Sequence, residues 1–226
     1  MNGKWKTLSV ITFAVLMLAI PLVHADVPTE PQNGDAMWIE PSSVDLRGTS
    51  AGVGYKFNVT VFINLTIDSA SWQFNLVYNK SHLNATGTGY TAGDKSDFFH
   101  NVTTIPLSPT YSTYNTTHDS VLDAESWMLG LTRGPGYGSL AWVEFQVMTV
   151  PPSGETYTSM IGLVDLYPSG TMDTYAQQPD GTKIALTSYD STYTIPEFSG
   201  ITIVALLMCL AAITILARKV TFSSHR

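Results

Sequence analysis

The chain has 226 residues, 44% of them hydrophobic and 13% charged, with a formal net charge of −7 and one cysteine, Cys209. A single cysteine excludes an internal disulfide framework and a cysteine-based zinc site. Between Asp26 and Glu197 all eighteen acidic residues face six basic ones, a formal charge of −12, and a domain of that sign repels phosphate backbones, which excludes nucleic acid as a partner.

In chain order, the first stretch carries Lys4 and Lys6, an apolar run from Leu8 to Ile20, and the small-residue stretch Val23-His24-Ala25. A positive head, an apolar middle and a small-residue site make a secretory signal of residues 1–25, cleaved between Ala25 and Asp26. The competing reading is an uncleaved anchor, although the run is shorter than the ~20 residues a spanning helix needs. Residues 26–36 are rich in Pro, Asp and Gly without apolar periodicity and read as a linker.

Residues 37–195 read as one all-β domain. Met37-Trp38-Ile39-Glu40 and Val44-Asp45-Leu46 are short strand candidates on either side of Pro41-Ser42-Ser43. From Tyr55 to Leu65 the apolar residues Tyr55, Phe57, Val59, Val61, Ile63 and Leu65 take every second place. Successive strand side chains point to opposite faces, so this alternation predicts a half-buried strand. A turn over Ile67-Asp68-Ser69-Ala70 leads to a second alternation, Trp72, Phe74, Leu76 and Tyr78. Residues 84–117 are polar and read as a long loop hiding short pieces at Phe98-Phe99 and over 102–105. Trp127, Leu129 and Leu131 alternate and favour a strand, with a short helix over 120–129 as the competitor. The turn Gly134-Pro135-Gly136-Tyr137-Gly138 feeds a strand over 140–147. That strand sets Ala141, Val143, Phe145 and Val147 on one side and Trp142, Glu144 and Gln146 on the other. Segments 159–166, 183–187 and 191–195 complete the series. Short strands punctuated by turns predict a β-sandwich.

Residues 198–217 contain no charge and are long enough to span a bilayer, and Arg218 and Lys219 follow at once. Basic residues beside a span stay on the cytoplasmic side, which predicts a single-pass protein of the cell membrane with residues 26–197 outside and tail 220–226 inside. Pro196-Glu197-Phe198, followed by the span and the basic pair, resembles the PEF-CTERM sorting signals of archaeal surface proteins. The resemblance implies processing by an archaeosortase and another surface anchor in the mature protein. A permanent helix is the alternative.

Two further blocks carry a resemblance of their own. Residues 71–83, SWQFNLVYNKSHL, and 136–147, GYGSLAWVEFQV, stand in the order found in cohesin domains. The first block departs from the family pattern by Asn79 where an Asp usually follows the Tyr. The resemblance covers residues 37–195 and implies a nine-stranded jelly-roll sandwich, shared with carbohydrate-binding modules, and an extracellular partner, either a dockerin-bearing protein or a polysaccharide.

Six sequons open at Asn58, Asn64, Asn79, Asn84, Asn101 and Asn115, none with Pro in the middle, and each is an acceptor in a secreted protein. Asn58 and Asn64 fall on the polar face of their strand, where glycan avoids the core. Trp142, Tyr111, Tyr114 and Tyr137 are candidates for stacking on sugar, and simple packing is the competing role of Trp142. Asp94 and Asp97, and the segment from Asp165 to Asp173, offer loop oxygens to calcium. Neither matches an EF-hand loop, and Asp in turns also bonds its own backbone. His82, His100 and His118 with Asp94, Asp97, Asp119 and Asp123 invite a hydrolase reading, but no HExxH, GxSxG or other catalytic spacing is present. The expected function is a non-catalytic surface binding or adhesion module. The alternatives are a glycosylated, S-layer-associated structural component of the envelope and, further off, a secreted hydrolase.

Overall fold

The computed structural model describes residues 34–47, 51–90, 93, 95–127, 132–168 and 173–196. The cleavage pair Ala25 and Asp26, most of the linker, Asp94, Leu129, Leu131, Glu197, Phe198 and the apolar span lie outside the described residues. Among the described residues no helix is long and apolar enough to cross a membrane.

Every regular element described is a strand. Numbered in chain order, one sheet runs β13 (Thr187–Tyr189), β1 (Ala36–Glu40), β3 (Lys56–Leu65), β9 (Gly136–Val147) and β5 (Leu83–Gly89). The second runs β12 (Lys183–Ile184), β11 (Tyr175–Gln177), β4 (Ser71–Asn79), β10 (Thr156–Leu163), β14 (Ser191–Pro196) and β2 (Ser43–Asp45). Along its other edge β4 pairs with β8 (His118–Trp127), which carries β6 (Thr104–Pro106) and β7 (Thr110–Thr113) beyond it. Pro41 and Ser42 are the corner at which the chain leaves one sheet for the other, and Ser191 Oγ donates to the Pro41 carbonyl across it.

The alternation of β3 translates directly into burial. Val59, Val61, Ile63 and Leu65 are buried, while Lys56 and Asn58 are exposed. Antiparallel pairing sets Val59 opposite Val143 and Phe57 opposite Phe145, so two apolar faces meet edge to edge. From the second sheet Trp72, Phe74, Leu76 and Tyr78 point into the same core, and the Tyr78 ring meets Phe145 edge-on at 5.0 Å. Removing a buried aromatic of this kind costs about 3–5 kcal/mol.

The region of Trp127 is a strand, as favoured over the competing helix: β8 pairs with β4 from His118 to Ser126. Two expectations are corrected. The segment 84–117 is not one loop: it holds β5, β6 and β7, strands of seven, three and four residues. Within it Phe98 and Phe99 form a turn whose rings are fully buried, with the Phe98 N–H donating to the Ser139 carbonyl at 3.0 Å. The expected turn over 134–138 ends early, and its last three residues continue β9 opposite Ile63, Asn64 and Leu65. Gly138 makes this close approach possible, since a Cβ there would lie 2.7 Å from the Phe98 Cα.

Candidate functional site

The outer faces of the two sheets differ in chemistry. On the five-stranded sheet the register brings Thr60, Asn58 and Asn64 of β3 beside Trp142, Glu144 and Tyr137 of β9, with Asn84 of β5 opposite Gln146. Three sequon asparagines therefore share one outer face. Lys56 pairs with Glu144 at 2.7 Å, and Asn64 Nδ2 donates to the Gly34 carbonyl at 3.0 Å. Trp142 is half-buried and lies across β5, where a Cβ added to Gly89 would come within 2.5 Å of its ring. The ring thus covers a side-chain-free patch of the neighbouring strand.

The four candidate stacking residues do not gather in one platform. Tyr137, 61% exposed, shares the outer face of Trp142. Tyr111 stands on β7 opposite the inward-pointing Val121, and Tyr114 follows β7 on the other side of the molecule. Of the remaining sequons, Asn79 ends β4 and pairs with His118, Asn115 forms the β7–β8 turn, and Asn101 is exposed after the Phe98-Phe99 turn.

On the nine-stranded sheet, the strand residues pointing outward from β7 to β14 carry hydroxyls, amides and a few apolar groups. Ser112, Ser120, Leu122, Gln73, Met160 and Thr192 are representative, and Met160 is 54% exposed. No Asp, Glu, Lys or Arg stands at the outward positions of β7, β8, β4, β10 and β14. A groove of about 350 Å³ crosses this face, lined by Thr110, Ser112, Tyr114, Asn75, Asp165 and Asp173 among others. The loop after β10 is stitched onto β4 at its rim: Val164 N–H donates to the Asn75 carbonyl, and Thr174 Oγ accepts from the Asn75 N–H. The Tyr114 hydroxyl is held above its ordinary pKa by burial and then by the negative charge of Asp165 and Asp173.

Sequence reasoning missed a second polar feature, inside the sandwich. Asp123 and Glu125 sit opposite Phe74 and Trp72, so both point inward, and both are buried. Glu125 Oε2 accepts from Trp72 Nε1 at 3.2 Å and from the Ser96 N–H at 3.1 Å, while Oε1 accepts from the Thr104 hydroxyl. Asp123 Oδ1 accepts from the Tyr90 hydroxyl at 3.3 Å. Burial, more than any neighbour, pushes the Asp123 carboxyl up to about 6 and also raises the Tyr90 hydroxyl. The carboxylates therefore clamp the chain between Tyr90 and Thr104 onto the sheet.

The three histidines occupy separate surroundings. His82 stacks on Tyr157 at 4.4 Å with Nδ1 against the Tyr193 hydroxyl, and burial lowers its pKa. His100 lies against Asp97, and His118 against Thr117 and Asn115. Among the described residues no group of three His, Cys, Asp or Glu is arranged to hold a metal ion.

No protein-family model and no curated protein matches the chain. Solved structures do. A cohesin in a type I cohesin–dockerin complex from Clostridium thermocellum is 10% identical with a TM-score of 0.51, over 76% of this chain and 99% of that one. A non-cellulosomal cohesin from the archaeon Archaeoglobus fulgidus is 14% identical with a TM-score of 0.43, over 75% and 96%. At 0.43 the second likeness carries no weight of its own. The likeness to the first is one of fold: this chain has the two-sheet, all-β fold of cohesin domains.

Proposed function

We propose that the protein is a non-catalytic binding module that presents its cohesin-like domain outside the cell, with the outer face of the nine-stranded sheet as the docking surface for a protein partner. The observation that carries this reading is that the outward strand side chains from β7 to β14 carry no charge in a region with a formal charge of −12, carboxylates reaching this face from Asp165, Asp173 and Asp190 outside the strands. Cores of protein interfaces are depleted in charge, and flat, hydroxyl-rich sheet faces dock without burying unpaired ions. The solved cohesin of similar fold is itself in complex with a dockerin, which makes a dockerin-bearing protein the first partner to try.

The opposite face has the complementary character. Asn58, Asn64 and Asn84 cluster there, so glycan on these sequons shields the five-stranded sheet and leaves the other face open. Asn79 and Asn115 mark the rim of the open face, where glycan would meet a docking partner first. The leader, the C-terminal span and the archaeosortase signal belong to the same reading: they deliver the domain to the surface and hold it there.

The test is binding of the purified chain to immobilised dockerin-bearing proteins and to a polysaccharide panel, with Leu122→Glu on the open face and Thr60→Arg on the shielded face. The reading expects a protein ligand whose affinity falls at least ten-fold in Leu122→Glu and is unchanged in Thr60→Arg. A ligand lost only in Thr60→Arg, or binding confined to polysaccharide, would overturn it.

A further inference from the structure

The groove on the nine-stranded sheet brings together three oxygen-bearing side chains from two separate parts of the chain. Asp165 and Asp173 come from the two ends of the loop after β10, and Asn75 comes from the middle of β4. Asn75 is 5% exposed, and its Oδ1 is buried without accepting any hydrogen bond. An acceptor left unpaired in this way costs about 1–3 kcal/mol, so the position calls for an electropositive partner. Its backbone groups are already used, the N–H by Thr174 Oγ and the carbonyl by Val164 N–H, which fixes the residue against the groove. Asp165, Asp173 and Tyr114 line the same groove as Asn75.

We propose that this groove binds a hard divalent cation, calcium in an extracellular setting, through the Asp165 and Asp173 carboxylates and the Asn75 side-chain oxygen. The donor set is all oxygen, without imidazole or thiolate, which selects calcium or magnesium over zinc and copper. A groove of about 350 Å³ has room for several waters beside the ion, and calcium takes six to eight oxygens in loose geometry, whereas magnesium demands a tight octahedron. Thr110 and Ser112 hydroxyls line the opposite wall and serve those waters. The surrounding charge of −12 raises the local cation concentration. With two carboxylates the affinity falls in the range of extracellular modules, on the order of 10⁻⁴–10⁻³ M. The ion ties the loop after β10 to β4, and this role stands whether or not a protein partner docks on the same face.

Terbium luminescence on the full purified chain tests the site, because Tyr114 is a sensitiser at its wall. The expected result is saturable emission displaced by calcium, with apparent affinity at least ten-fold weaker in the double variant Asp165→Asn/Asp173→Asn. Asn75→Asp adds a third carboxylate and is expected to tighten binding several-fold, which a purely structural Asn75 would not do. Circular dichroism checks each fold, and the single Asp173→Asn variant, which perturbs only the loop, carries the test if the double variant does not fold. Absent emission, emission that the variants leave unchanged, or an Asn75→Asp affinity no tighter than the parent would overturn the proposal.

Discussion

Replacing Glu125 by Leu tests the inward clamp. The substitution keeps the volume close but removes both acceptor oxygens. The Ser96 N–H then loses its carboxylate partner in a fully buried position, at about 1–3 kcal/mol. Trp72 Nε1 loses Glu125 but retains Ser96 Oγ at 3.3 Å, so its cost is at the low end of the same range. The Thr104 hydroxyl rotates to find another acceptor and adds little. The sum is about 2–4 kcal/mol, which at a urea dependence of about 2 kcal/mol per molar moves the unfolding midpoint down by about 1–2 M. Glu125→Gln keeps one oxygen in place for Trp72 and Ser96, and its loss should be under about 1.5 kcal/mol. Urea titration followed by tryptophan fluorescence reads both, since Trp72 is itself at the clamp. A Glu125→Leu midpoint within about 0.3 M of the parent would refute the idea that this carboxylate holds the chain between Tyr90 and Thr104.

Asp123 predicts a pH dependence of definite sign. Its folded pKa of about 6 lies above the ordinary 3.8, so folding favours the protonated acid: its contribution is fully present below about pH 4 and is lost as pH rises through 6. The loss is at most about 3 kcal/mol, and Asp123→Asn should abolish that slope between pH 4 and 6.5. Parallel urea midpoints for parent and variant over that range would contradict it. Gly138→Ala places a methyl 2.7 Å from the Phe98 Cα and should cost about 1–3 kcal/mol, measured by thermal unfolding. An unshifted melting temperature would mean that the Phe98 turn yields freely.

The sandwich was legible wherever alternation ran for four or more residues. In β3 and β4 each second residue is apolar, and a one-residue slip would turn the whole set to solvent, so pattern and burial agree. Of the strands that escaped, β7 and β11 have four and three residues, too few for a period to show, and β5, seven residues long, reads LNATGTG, whose second half holds only Gly and Thr and shows no apolar alternation. In β8 the strand was favoured only around Trp127, and its first half was hidden for a physical reason. Val121, Asp123, Glu125 and Trp127 share one direction, and two acids in such a row look like a solvent face. They are tolerated inside because Tyr90, Ser96, Thr104 and Trp72 bring donors to them from distant positions, which no local window contains. Asn75 was hidden in the same way. It reads as the polar partner of Phe74 and Leu76, and only the loop returning from β10 turns its outward position into a groove wall. The sequons were readable one by one, but the gathering of Asn58, Asn64 and Asn84 on a single face depends on β9 lying between β3 and β5.

Both polar features converge on β4, and this bears on how the open face can bind. The inward side of the strand holds the Tyr90–Thr104 chain through Trp72 and its neighbour Glu125, and its edge holds Val164 and Thr174 through the backbone groups of Asn75, three residues on. β4 is bonded along one edge to β8 and along the other to β10 and β11, so it has no free edge over which to shift. A face built on such a strand is set before a partner arrives, and little ordering entropy is lost on docking. Beside it, Val164 and Thr174 are tied to Asn75 by one backbone and one hydroxyl bond. An ion between Asp165, Asp173 and Asn75 would add a further link between this rim of the groove and β4. On the docking reading proposed above, calcium should therefore strengthen partner binding through the groove rim, and the affinity lost in Leu122→Glu should be the same with and without the ion.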